Sequence, residues 1–570
     1  MDFMIVLSGS SLVAKCTLLV LCLPLLGSLG VWLISLYGQT IPGNGWRNGR
    51  DSIIWGSCGA TLLGLLMLFP YRGCEFILPG AGGVGYSFVL DGLRLSLAIL
   101  TAALWLCAAV FSRWHLSQSG HKMRFYFFFL LAECGLLSVL LSADFYTMLT
   151  GFVVLNIAFW VLTGHRESEA ARLAAGRMLA GTIIGDLCAL LGVILLFSQL
   201  GTVRFAALKV LATANSNHTI LYLAGGLLLA GISLSCAIWP LPHRLPSITH
   251  TPGPAAALMS GAVTVAWLFS VMVLSAQLFL WNATWGRFLV VLGTLLLILA
   301  AVTALGSRHL KLTLTLLAIS QTGLILLTLG LNGLLVNHNQ TAAAAVVLEC
   351  LHHGLCQLLL FLCVGAVCRH QSDLSLASVA GFGRGKKALL ASFVLGSASL
   401  CGLPLFFGSV NTLLLQQSLR EYLQQLSADS PYRLLFQSIP VLVVLANGIC
   451  AAALLKVIVC LFVRTNRYPA IQAQYDRLTE RGITKSIQVL LFGIACLLLV
   501  GGLTSPYTLD FLAYNCVGFF STRLNFTVTA FQWQTFVLGA LHLGIGAVLY
   551  LLFWHNRLKK MSEPLPEDQP

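Results

Sequence analysis

The chain has 570 residues, of which 58% are apolar and only 9% charged, and its mean hydropathy is +0.89. Those values exclude a soluble globular protein. The formal net charge of +14 does not mark a nucleic-acid partner either, because the basic residues lie in short loops between apolar runs, where they read as a topology signal for a lipid bilayer.

A membrane helix needs roughly 20 mainly apolar residues. About fifteen such spans can be read, at 12–37, 52–70, 88–112, 125–142, 145–163, 174–199, 219–239, 252–280, 288–306, 312–330, 342–368, 388–417, 436–463, 486–505 and 527–555. The expected fold is therefore an all-α polytopic membrane protein. The first span is too long, and lacks the small-residue cleavage site, of a removable signal peptide, and is read as part of the mature protein. Arg50, Arg113, Lys122, Arg124, Arg166, Arg308, Arg369, Lys386, the Arg464–Lys485 loop and Lys559 fall on alternate loops. This places the N-terminus outside and the C-terminus in the cytoplasm.

Residues 1–113 form an N-terminal three-helix segment, at whose third span Asp91 and Arg94 share a helix face and can pair. A first five-helix block covers 125–280 and a second covers 288–463. Between spans 6 and 7, TVRFAALKVLATANS is too short and polar to cross, and reads either as an interfacial amphipathic segment or as a loop. In the first block, IWPLPHRLPSITHTPGPAAALMSGAVTVA breaks an apolar run at Pro240 and restarts a helix rich in small residues at Pro254. In the second, CGLPLFFG interrupts a span at Pro404. Two blocks of equal span count, offset by an odd number of helices, predict inverted repeats whose functional groups gather at the broken helices. A C-terminal two-helix segment, 486–555, and a disordered cytoplasmic tail, 556–570, close the chain.

The seventeen cysteines form no C-x-x-C pair and lie almost entirely in apolar spans, so they read as small packing residues. No metal or cofactor site is expected, nor any catalytic residue. Ionisable groups inside spans are the sharper signal, because a charge in lipid is costly. Glu349 and His353 lie four apart on one helical face, with Gln357 a turn further and His352 adjacent. They read either as a proton-accepting pair or as hydrogen bonds tying that span to a neighbour. Asp186, Glu133 and Lys456 are single intramembrane charges, each a candidate for local pairing or for a proton relay.

These motifs, in order, resemble the antiporter-like membrane subunits of respiratory complex I, Mrp-type cation/proton antiporters and membrane-bound group 4 hydrogenases. FVLDGLRLSLAIL is similar to the family's third helix and FYFFFLLAECGLLSVLLSADFYTMLTGF to its fourth and fifth. WPLPHRLP…HTPGPAAALMSGAVT resembles the broken seventh helix and the eighth, and SLCGLPLFFGSVNTLLL the broken twelfth. The resemblance covers roughly residues 85–460, and Ser260–Gly261 brings it nearest to the Mrp D-type and hydrogenase members. It implies two half-channels joined by a polar axis at mid-membrane, made in the family of a glutamate and several lysines or histidines. On this sequence the axial positions hold Val153 or Val154, Ser235, Val265 (or Ser260), Gln357 and Thr412. Arg177, Lys311 and His353 stand where the family carries a basic or imidazole group.

The leading expectation is an antiporter-like subunit of a multisubunit complex in a bacterial inner membrane, partnered by other membrane subunits and by protons or monovalent cations. Any NADH-quinone oxidoreductase or hydrogenase chemistry would reside in those partners. A proton relay needs groups that exchange protons, so the axis would have to be rebuilt from Glu349, His352, His353, Glu133 or Asp186. The alternatives are a non-conducting structural subunit of a membrane arm and a stand-alone secondary transporter.

Overall fold

The computed structural model describes residues 11–37, 45–78, 85–214, 218–236, 245–335, 341–478, 482–520 and 532–562. The chain divides into two compact units. One comprises Met1–Trp285 with Tyr514–Thr522, the other Gly286–Ala513 with Arg523–Pro570. Thirteen described helices are long and apolar enough to cross a membrane, and two shorter apolar ones, Thr219–Ser235 and Lys387–Leu400, stand where broken spans are expected.

The first unit begins with α1 (Ser11–Tyr37) and α2 (Gly45–Leu68), followed by a two-stranded antiparallel hairpin, β1 (Glu75–Leu78) and β2 (Tyr86–Val89). Next come α3 (Gly92–His115), α4 (Lys122–Leu141), α5 (Phe145–Thr163), α6 (Glu169–Leu200), the short α7 (Phe205–Ala214) and α8 (His218–Ser235). The segment read as interfacial or loop is thus helical in α7. The unit continues with α9 (Leu245–His250) and α10 (Gly253–Val273). Pro240 lies outside the described residues. Pro254 occupies the first turn of α10, where its missing N–H is not needed, and α10 is buried along its length.

Two helix starts, those of α3 and α5, carry acidic caps. Asp91 accepts from the Arg94 amide at 2.7 Å and pairs with the Arg94 guanidinium, as the spacing predicts. Asp144 accepts from the Thr147 amide at 2.6 Å and from the Ser87 amide at 3.2 Å, so it is a cap that ties α5 to the hairpin. Close helix packing rests on small residues: a Cβ on Gly231 of α8 would lie 2.4 Å from the Ala189 amide nitrogen of α6.

The second unit contains α11 (Ala283–Gly306), α12 (Leu310–Leu334), α13 (Thr341–Cys368), α14 (Leu376–Val379), α15 (Lys387–Leu400), α16 (Phe407–Gln425) and α17 (Arg433–Ile458). The stretch read as one span at 388–417 is two helices. Between them lie Pro404 and two residues with left-handed backbone, Gly402 (φ 67°) and Leu405 (φ 73°). Val290, Leu297, Leu327, Leu331, Leu415, Leu419, Phe436 and Val443 form the core joining α11, α12, α16 and α17. After α18 (Pro469–Arg477) and α19 (Lys485–Leu503) comes α20 (Ser505–Phe520), a helix not expected from the sequence, whose last turns belong to the first unit. The chain ends in α21 (Trp533–Tyr550) and α22 (Asn556–Ser562). The stretch expected to be a disordered tail therefore starts as a helix, with Leu558 buried against Trp554 and Tyr550; residues 563–570 lie outside the described ones.

Candidate functional site

In the first unit, Asp186 on α6 is the centre of a three-helix polar cluster. Its Oδ1 accepts from Ser235 Oγ of α8 at 2.5 Å and from Asn156 Nδ2 of α5 at 3.3 Å. Ser235 is the residue that the sequence resemblance aligns with one axial position, and the structure puts a carboxylate directly against it. Glu133 on α4 is 1% exposed. Its Oε2 accepts from Cys58 Sγ of α2 at 3.3 Å, while Oε1 has no partner among the described residues. Arg177 lies exposed on α6, apart from this cluster.

In the second unit, α13 buries Glu349, His352, His353 and Gln357. Glu349 does not take His353 as its hydrogen-bond partner. Its Oε1 accepts from Thr328 Oγ1 of α12 at 3.0 Å, and its Oε2 has no partner among the described residues. His352 Nε2 meets Ser399 Oγ of α15 at 3.0 Å and packs edge-on against Phe407, the first residue of α16. Both groups thus bond to neighbouring helices, and one Glu349 carboxylate oxygen keeps unmet capacity. Thr412 bonds back to Gly408 O within α16 at 3.2 Å, beside the left-handed turn at Gly402. Lys311 is fully buried near the start of α12.

Lys456 of α17 pairs locally. Its ammonium donates to the carbonyls of Ala304, Leu305 and Ser307 at 2.9, 3.0 and 2.7 Å, and it lies 4.5 Å from the centre of the Trp554 ring. A cation at the last turn of α11 satisfies carbonyls that the helix leaves unpaired and complements its dipole. This lysine caps a helix.

The second unit also buries uncharged polar groups that charge alone does not reveal in the sequence. Gln321 Nε2 on α12, Asn411 Oδ1 on α16, Asn447 Oδ1 on α17 and His542 Nε2 on α21 are enclosed and have no partner among the described residues. Their signal was a single amide or imidazole inside an apolar run, as in AISQTGL, SVNTLLL, LANGIC and ALHLGI. A buried polar atom without a protein partner is costly unless water reaches it. With the open oxygen of Glu349, these atoms are buried polar groups that water could satisfy. Among the described residues, no group of three or more His, Cys, Asp or Glu could hold a metal ion.

These features define a polytopic α-helical membrane protein with a buried, incompletely satisfied polar site in each of two units. Residues 142–427, just over half of the chain, match the NADH:quinone oxidoreductase/Mrp antiporter transmembrane family, and the chain belongs to that family. It is 25% identical to NADH-quinone oxidoreductase subunit L of Buchnera aphidicola over 328 residues, 56% of this chain and 52% of that one. The chain spans about half the length of the first curated relatives it matches. Its fold is similar to a chain of the Mrp complex from Dietzia sp., with a TM-score of 0.71, 18% identity, and coverage of 92% of this chain and 99% of that one. It is also similar to a chain of an archaeal membrane-bound sulfane sulfur reductase, with a TM-score of 0.76, 17% identity, and coverage of 96% and 88%.

Proposed function

We propose that the chain is an antiporter-like membrane subunit of a multisubunit proton- or cation-translocating complex whose usual axial charges have been replaced by relocated groups. It sits in a bacterial inner membrane with its N-terminus outside and its C-terminus in the cytoplasm, and other subunits supply the driving chemistry. The observation that carries this reading is Glu349, which is 2% exposed, has one oxygen on Thr328 and leaves the other without a protein partner among the described residues. An ionisable group kept in that state inside a span is retained for proton or ion exchange more readily than for packing. His352 and His353, on the same helix, are the neighbouring imidazoles through which a proton would move.

A second reading, a non-conducting subunit that packs the membrane arm, is favoured by Lys456, which is held by three carbonyls and not by a carboxylate. Proton flux into vesicles holding the complex with its partners, under an imposed potential, separates the two. Flux in the wild type that is lost in Glu349→Gln/His353→Ala supports the relocated path. Flux absent from both overturns it and leaves the packing role.

A further inference from the structure

On the first unit, a cavity of about 570 Å³ is lined by Ser35, Arg50, Ser119, His121, Lys122 and Arg124, with Ser117 and Met123. It lies where the end of α1, the first turns of α2, the loop after α3 and the start of α4 meet, on the face that carries the basic loops. Its permanent cations are Arg50, Lys122 and Arg124, and Arg113 stands beside them. The carboxylates bridging this group are Asp51, which takes Arg50 at 2.6 Å and Arg113 at 3.1 Å, and Glu167, which takes Arg124 at 2.6 Å and His121 at 3.6 Å. Four cations against two carboxylates leave a surplus of positive charge at the cavity.

Two independent features show what the surplus faces. The Arg124 Nε is enclosed and has no acceptor among the described residues. The first turn of α4 also points into the site without a side-chain cap, because its N-cap His121 is left-handed (φ 50°) and makes no capping bond. Uncapped amides at a helix N-terminus, together with guanidinium groups, are the donor set that phosphate oxygens take. The wall continues along α1 as an exposed apolar strip of Leu29, Trp32, Leu33, Leu36 and Tyr37, where an acyl chain can lie below a headgroup.

We propose that this cavity binds a phosphate group, supplied by the headgroup of an anionic phospholipid whose chains pack against α1. Basic pockets between membrane helices are suited to such headgroups, and each cation contributes about a fivefold preference at an anionic surface. The test uses the intact complex in vesicles of equal phosphatidylglycerol and phosphatidylcholine, with the lipid retained after detergent extraction quantified by mass spectrometry. Lys122→Gln/Arg124→Gln should lower retained phosphatidylglycerol by roughly 25-fold and leave phosphatidylcholine unchanged. Glu167→Gln, which frees Arg124 and His121 from their carboxylate, should raise it; a misfolded protein would not. Displacement of the lipid by millimolar inorganic phosphate would assign the site to free phosphate and overturn the lipid source. Equal phosphatidylglycerol retention in all three proteins would overturn the site altogether.

Discussion

Replacing Lys456 by Met separates a helix-capping lysine from a relay lysine. Methionine keeps most of the side chain's volume and removes the ammonium. Three charge-assisted bonds, of 2.9, 3.0 and 2.7 Å, are lost. The carbonyls are not equally stranded. Leu305 O still accepts from Trp554 Nε1 at 2.8 Å, and Ala304 O still accepts a long bond of 3.3 Å from the Ser307 amide. Ser307 O is left with the full penalty of a buried acceptor, about 1–3 kcal/mol. Weakened satisfaction of the other two adds on the order of 1 kcal/mol, and loss of the contact with Trp554 about 1 more. Relief from burying an ammonium offsets part of this, so the expected net loss is roughly 2–3 kcal/mol. Thermal unfolding of the purified complex, followed by tryptophan fluorescence, should show a midpoint lower by about 2 °C. Proton flux per folded complex should be unchanged. An unaltered midpoint with abolished flux would refute the capping role and return Lys456 to the relay.

Gly323→Ala tests the contact between α11 and α12, because a Cβ there would lie 2.5 Å from the Leu297 amide nitrogen and 2.6 Å from Gly293 O. Overpacking of that kind costs about 1–3 kcal/mol, read as a lower unfolding midpoint, whereas Gly226→Ala, which meets nothing within 4 Å, should leave it unchanged; equal midpoints would refute the close packing. A pH dependence is expected at His370, outside the spans, where burial, with Arg369 and Lys386 nearby, holds the imidazole below its ordinary value of 6.5. The folded segment then binds fewer protons than the unfolded one. Its stability is full above about pH 6.5 and falls as pH drops towards the folded value. Asp373 is also lowered, chiefly by its bond from Ser378, but acts only below the carboxylate's ordinary 3.8. Amide exchange of residues 374–386, corrected for intrinsic rates, should therefore quicken from pH 7.5 to 5.5 in the wild type and much less in His370→Asn. Equal acceleration in both would remove His370 as the cause.

The spans were legible because length and apolar content decide them almost alone. The helix α20 was not, because SPYTLDFLAYNCVGFF is short and carries Asp510 and Asn515; it is held by tertiary neighbours, as where Gly92 lets the Asn515 carbonyl approach. Helical spacing correctly put Glu349 and His353 on a buried face. It could not show that the carboxylate turns to Thr328, because a hydroxyl on an adjacent helix has no sequence register with it. The same limit applied to Lys456, whose acceptors lie some 150 residues away and are backbone atoms, which leave no mark in residue types. Asp186 was visible as a charge, whereas its meeting with Ser235 and Asn156 depends on how three helices pack.

On the proposed reading, that meeting bears on why Ser235 stands at an axial position. At Ser235 the two helices are almost in backbone contact, since a Cβ on Gly185 would lie 2.6 Å from Ser235 Oγ and 2.6 Å from Gly231 O. The position is 1% exposed. A lysine would need room for three more non-hydrogen side-chain atoms, which the α6–α8 contact does not leave. On the proposed reading the helix pair carries its charge as the Asp186 carboxylate of α6, to which Ser235 and Asn156 donate. Ser235→Lys should consequently fail to restore a conducting axis. The expected outcome is an unfolding midpoint lowered by overpacking of about 1–3 kcal/mol, with flux no higher than in the wild type. A stable Ser235→Lys complex whose flux rises, and whose gain is abolished by Asp186→Asn, would show instead that α6 and α8 can part and that only the charge was missing.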